Sequence, residues 1–158
     1  MNGKMILLKR SIEKDLEALK HLFALLEETA LPEEPSEEML IVLGYRLHNL
    51  YNAFENIFRA IAQAFEGLPS AEEAWHQRLL EQMSMDLSPL RPAVINAEML
   101  DGLDELRRFR HLFRHAYTLK LDPERLRLVL RKAEQVGKHY RGSLKAFLAF
   151  LDGLIESP

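Results

Sequence analysis

Residues 103–122 read Leu103-Asp-Glu-Leu-Arg-Arg-Phe-Arg-His-Leu-Phe-Arg-His-Ala-Tyr-Thr-Leu-Lys-Leu-Asp122. Leu103, Leu106, Phe109, Phe113 and Ala116 recur at steps of three and four, the spacing of a helix with one buried side. With an advance of about 100° per residue, Leu106, Phe109, Phe113 and Ala116 share one face. Arg107, His111, Arg114 and His115 take the opposite face, and Arg110 lies on its edge. The apolar face requires other helices to cover it. The polar face concentrates cations and imidazoles beyond what solubility needs.

Working outward, the same periodicity predicts the partners. Leu8, Ile12, Leu16, Leu19, Phe23 and Leu26 mark a helix over residues 5–29, ended by an acidic loop with Pro32 and Pro35. Ser36 is a predicted N-cap for a long helix whose stripe runs Leu40, Leu43, Leu47, Leu50, Phe54, Phe58, Ile61, Phe65 and stops at Gly67. After Pro69, Ser70 with Glu73 three residues on reads as a capping box, opening a helix through Trp75, Leu79 and Met83. Residues 88–95 hold two Pro and read as a loop. Asn96 is placed to cap the helix over residues 97–117, and Asp122-Pro123 to start the last one. In that last helix Leu126, Val129, Leu130, Ala133, Val136, Tyr140, Leu144, Phe147, Leu148 and Leu151 point inward, and Gly137 and Gly142 mark a kink or a close contact. No strand-like alternation, repeat or low-complexity tract interrupts this. The expectation is an all-α antiparallel bundle of about five helices, a single domain over residues 1–158.

The chain has no Cys, which excludes disulfides and thiolate metal sites and suits a reducing compartment. Its early apolar run, residues 5–8, is too short for a signal-peptide core. No stretch approaches the roughly 18 apolar residues of a membrane span. A cytoplasmic protein with no membrane partner is expected. The net charge of −3 conceals an asymmetry. Residues 1–104 carry 9 Lys/Arg against 18 Asp/Glu, whereas residues 105–141 carry 11 against 4. A basic segment in an acidic chain implies either an anionic ligand or pairing with the chain's own acidic helices.

Several chemistries find no support. There is no phosphate-cradling Gly-rich loop and no nucleophile-elbow Ser. Asp101 and Glu105 need only the acidic preference of a helix start. His111 and His115, four apart, have the spacing of two metal ligands, but no third ligand follows from spacing. Arg with His acting on phosphate remains. His exchanges protons near neutrality, and the Arg fork stabilises charge on phosphate oxygens. Metal-free RNA cleavage needs both: a base for the ribose 2′-hydroxyl and a cation for the phosphate.

Taken as a unit, Arg110-x4-His115-x-Tyr117 ends a helix and is followed by the Leu-Asp-Pro start of a long one. Together with Leu47-His48-x-x-Tyr51-x-x-x-Glu55-x-Ile57-Phe58, Trp75-His76 and Arg91-Pro92-Ala-Val-Ile95, it resembles the HepT-like branch of the HEPN superfamily, toxins of toxin–antitoxin pairs. The resemblance implies a metal-independent endoribonuclease, a homodimer whose motifs line a shared cleft. It makes Arg110 and His115 the catalytic pair and puts His111 at the variable polar position after the Arg; from their place on the polar, basic face, His111, Arg107 and Arg114 are expected to support RNA binding. It also implies a minimal nucleotidyltransferase antitoxin that transfers AMP to Tyr117. ATP and Mg²⁺ would belong to that partner, and the chain itself needs no cofactor. A non-catalytic helical module that binds the nucleotidyltransferase or its substrate is the alternative, and Tyr117 is alternatively a plain core-edge aromatic. Arg110 and His115 lie five apart, about 140° around an ideal helix. They can meet only if the helix unwinds near its end or if two subunits contribute one residue each.

Overall fold

A computed structural model describes residues 2–115 and 120–157. The described residues form helices α1 (Asn2–Glu27), α2 (Glu37–Ala64), α3 (Trp75–Ser84), α4 (Ala97–Arg114) and α5 (Pro123–Glu156), with no strand among them. The all-α expectation holds.

Three helix starts follow the expected caps. The side chain of Ser36 accepts from Met39 N at 3.2 Å. Asn96 Oδ1 accepts from Met99 N at 2.8 Å. Asp122 Oδ1 accepts from Glu124 N at 3.1 Å, with Pro123 opening the first turn. Each satisfies an amide that the helix itself cannot. The capping box at Ser70 and Glu73 does not form. Helix α3 begins at Trp75, and Ala74 before it supplies no side-chain cap. Two competing contacts explain this. The Ser70 carbonyl accepts from Glu72 N in a tight turn at 2.7 Å, and Arg78, already paired with Glu72, reaches the Ser70 hydroxyl at 3.4 Å. At its far end α2 stops at Ala64. Gly67, at φ +93°, returns its N–H to the Ala62 carbonyl, a conformation that glycine adopts without steric cost.

The register of cross-helix contacts gives the topology. Arg46 Nη1 donates to Leu25 O and Lys9 pairs with Asp152, so α1 runs antiparallel to α2 and α5. Phe113 lies against Gly44 while Arg110 meets Asn52, so α4 is antiparallel to α2. Asp101–Lys132 and Glu105–Arg125 make α4 antiparallel to α5. Helix α3 packs beside α2 and α4. One continuous core results, with Phe23 stacked on Tyr140 at 4.5 Å and Phe54 edge-on to both. Gly102 marks a close approach of α4 to α5: a Cβ there would meet Val136 Cγ2 at 2.5 Å and the Lys132 carbonyl at 2.8 Å. Helix α5 is continuous through Gly137 and Gly142. Gly137 faces the Phe23 ring, and Gly142 faces nothing within 4 Å.

The loop between α3 and α4 is held by a buried arginine. Arg91 is fully enclosed and uses every N–H it has. Nε and Nη2 grip the two oxygens of Glu66, Nη1 donates to the carbonyls of Met85 and Pro92, and Nη2 also donates to that of Gln82. This fixes where α4 starts, and so where its far end falls.

Candidate functional site

The site is built on the C-terminal end of α4. Leu103, Leu106 and Phe109 are buried as the wheel requires, and Phe113 is half-buried against Gly44. The absence of a side chain at Gly44 admits the Phe113 ring, which would otherwise sit 2.8 Å from a Cβ. With that face anchored, Arg107 and Arg110 are left half-buried, and His111, Arg114 and His115 exposed.

The last helical residue is Arg114. His115, at φ −101° and ψ 8°, has already left the helix. This is the first of the two ways in which Arg110 and His115 could escape their separation on the wheel. Arg107, Arg110, His111, Arg114 and His115 line one groove of ≈ 660 Å³, whose other wall is residues 71–77. All five site residues predicted on α4 are therefore brought together within one chain. Tyr117 lies outside the described residues, as does Ala116 of the predicted apolar face. The rings of His111 and His115 have their centroids 4.5 Å apart. Among the described residues no group of three His, Asp or Glu side chains forms a metal-binding cluster around them or elsewhere.

A row on α2 that carried no predicted site role sets the posture of Arg110. Asn52 Oδ1 accepts from Arg110 Nε at 2.5 Å. That contact turns the amide nitrogen of Asn52 toward His48 Nε2, at 3.1 Å. An amide nitrogen only donates, so Nε2 of His48 is an acceptor and the ring is neutral in this arrangement. Burial, then the charges of Arg110 and Arg114, hold the pKa of His48 below its ordinary value, in agreement with that geometry. The Arg110 guanidinium also lies 5.9 Å from the centre of the buried Tyr51 ring. The Tyr51 hydroxyl lies near Glu55 without a well-formed hydrogen bond, and burial, followed by the charge and nearness of Glu55, pushes its pKa well up. Glu55 itself is buried on α2 and meets His76 Nδ1 at 2.8 Å.

The basic segment is partly neutralised, but by its own neighbours and not by the distant acidic helices. Arg107 pairs with Asp104, Arg108 with Asp104 and Glu105, Arg125 with Glu105, Arg127 with Glu124, and Lys132 with Asp101. Among the described residues neither Arg110 nor Arg114 makes an ion pair. These two guanidinium groups have the charge and donor geometry to take an anion, although Glu72, paired with Arg78, and Glu73 also line the groove.

The described chain is therefore an all-α bundle with an Arg- and His-lined groove at the end of its fourth helix. A family model described as HepT-like protein matches residues 42–151, a span that contains every residue of the groove. The chain belongs to the HepT-like family, toxins of the HEPN superfamily. No curated protein and no solved structure matches it. No described helix is long and apolar enough to cross a membrane.

Proposed function

We propose that the chain is a metal-independent endoribonuclease, the toxin of a toxin–antitoxin pair, with Arg110 and His115 as its catalytic pair. The observation that carries this reading is the convergence of unpaired Arg110 and Arg114 with His111 and His115 on one groove. His115 takes the proton of a ribose 2′-hydroxyl as the O2′–P bond forms. Arg110, tethered through Nε to Asn52, keeps both Nη nitrogens for the phosphate oxygens, whose charge it stabilises. Arg114 and His111 bind the RNA backbone beside them. Arg107, tied to Asp104, contributes least.

The reading extends to a homodimer and to a nucleotidyltransferase antitoxin that places AMP on Tyr117. Such an adduct would add a phosphate anion and an adenine, with which guanidinium groups could pair in place of RNA. Intact mass after incubation with such a partner, ATP and Mg²⁺ reads this directly. A gain that persists in Tyr117→Phe would put the modification elsewhere. The second reading, a non-catalytic module for binding the nucleotidyltransferase, is favoured by the local ion pairs that neutralise much of the basic segment.

Cleavage of RNA by the purified protein in EDTA separates the two. Arg110→Ala and His115→Ala are each expected to lower the rate by about 10²–10⁴ with the fold retained, the exposed His115 costing no stability and Arg110 only its bond to Asn52 and its contact with Tyr51. A double variant that cuts as well as the parent would remove both residues from the mechanism.

A further inference from the structure

Cleavage by the 2′-hydroxyl moves two protons. One leaves O2′ as the O2′–P bond forms, and one must reach O5′ as the P–O5′ bond breaks. The α4 wall of the groove offers His115 for the first. The opposite wall offers His76, a residue to which no role has been attached. It lines the same groove, near the start of α3. Its ring is stacked on Trp75 at 3.9 Å, and the Arg59 guanidinium lies 5.2 Å from the centre of the Trp75 ring. Its Nδ1 is 2.8 Å from Glu55 Oε2, a carboxylate whose side chain is only 8% exposed and whose sole ion-pair partner among the described residues is this imidazole. An ionised Glu55 can only accept, which puts a hydrogen on Nδ1 and leaves Nε2 as the nitrogen through which His76 gives or takes a proton. The His76 side chain remains 29% exposed. A carboxylate that fixes one ring nitrogen while the other is available in an anion-binding groove is a positioned proton donor.

We infer that His76, oriented by Glu55, is the general acid of the cleavage, protonating O5′ from Nε2 while His115 deprotonates O2′. The products are a 2′,3′-cyclic phosphate and a free 5′-hydroxyl, and the two imidazoles end with their protons exchanged. This inference rests on the ribonuclease reading above. It adds the residue that completes the proton balance and makes Glu55 a positioning residue.

The test uses the full chain and a mixed-sequence oligoribonucleotide whose cut site has been mapped. A second copy of that oligonucleotide carries sulfur in place of the bridging 5′-oxygen at the cut. A thiolate leaves without being protonated, so the sulfur substrate does not need the acid. His76→Asn keeps a donor for Glu55 but cannot give a proton from Nε2. It is expected to lose about 10²–10⁴ in kcat on the oxygen substrate, with little change in KM, and to cut the sulfur substrate at close to the parental rate. Glu55→Gln, which still accepts from Nδ1, should keep most of the activity; Glu55→Ala should follow His76→Asn on both substrates. Equal losses on the two substrates, or none on the oxygen substrate, would overturn the role of His76 while leaving the ribonuclease intact. A parent protein that cuts neither would overturn the ribonuclease reading itself, and this inference with it.

Discussion

Arg91 is the residue on which the site's placement most depends, although it touches no part of the groove. Burying a guanidinium is tolerable only when its charge and all its donors are met, and Glu66 with three backbone carbonyls meets them. Truncation would leave the Glu66 carboxylate and those carbonyls without their partner. Arg91→Ala is expected to cost about 3–5 kcal/mol in urea unfolding; a loss under about 1 kcal/mol, the scale of an exposed pair, would contradict this account. The acid limb gives an independent check. Burial alone would raise the pKa of Glu66, but hydrogen bonds from Arg91 and Gln82 and the Arg91 charge outweigh it and hold the carboxyl below the ordinary glutamate range. The unfolded chain therefore takes up a proton before the folded one. The pair's contribution is complete above the unfolded value and is lost as pH falls through the folded one. In Arg91→Ala, stability should decline less steeply below about pH 4.5 than it does in the parent.

At the scale of helices, two glycines predict opposite outcomes for the same substitution. Gly102→Ala drives a methyl into Val136 and into the Lys132 carbonyl, and backbone on α5 cannot step aside as a side chain can. Overpacking of this kind costs about 1–3 kcal/mol. Gly142→Ala meets nothing within 4 Å on the exposed side of α5, so helix propensity alone decides, and a gain of about 0.5–1 kcal/mol is expected. Melting temperatures that moved in the same direction would show that the α4–α5 crossing is looser than described. The same contrast separates what the sequence discloses from what it conceals. The stripes of α1, α2 and α5 were readable because burial imposes a period on them, and Ser36, Asn96 and Asp122 because a cap acts within three residues. Ser70 misled because its competitor, Arg78, sits a further two turns along. Asn52 and Arg110 are 58 residues apart, and no spacing rule joins them. The pairing of Glu55 with His76 had one faint signal, an acidic residue set within the run Phe54 to Phe58 of a buried stripe.

At the scale of the whole molecule, the groove changes the grounds for a homodimer. Arg110 and His115 line it from one chain, so the two face a common groove within a single copy. What favours a second copy is an apolar face that one chain leaves open. Ile41, Val42 and Tyr45 are 49%, 47% and 59% exposed along α2, and Leu112 of α4 is 38% exposed. Phe113, next to Leu112, packs on Gly44 of α2. Such a cluster is costly in water, and an isologous pairing about a two-fold axis would cover it in both copies at once. The protein is expected to scatter light as a dimer at micromolar concentration. Tyr45→Asp with Leu112→Asp should shift it toward the monomer mass of 18.3 kDa without lowering its melting temperature by more than the loss of the interface explains. Both positions are outside the core, so the variant tests association and not folding. A parent protein that already scatters at the monomer mass would end the dimer proposal. If the variant became monomeric yet cut RNA as fast as the parent, each groove would be catalytically complete, and pairing would serve only to cover the apolar face.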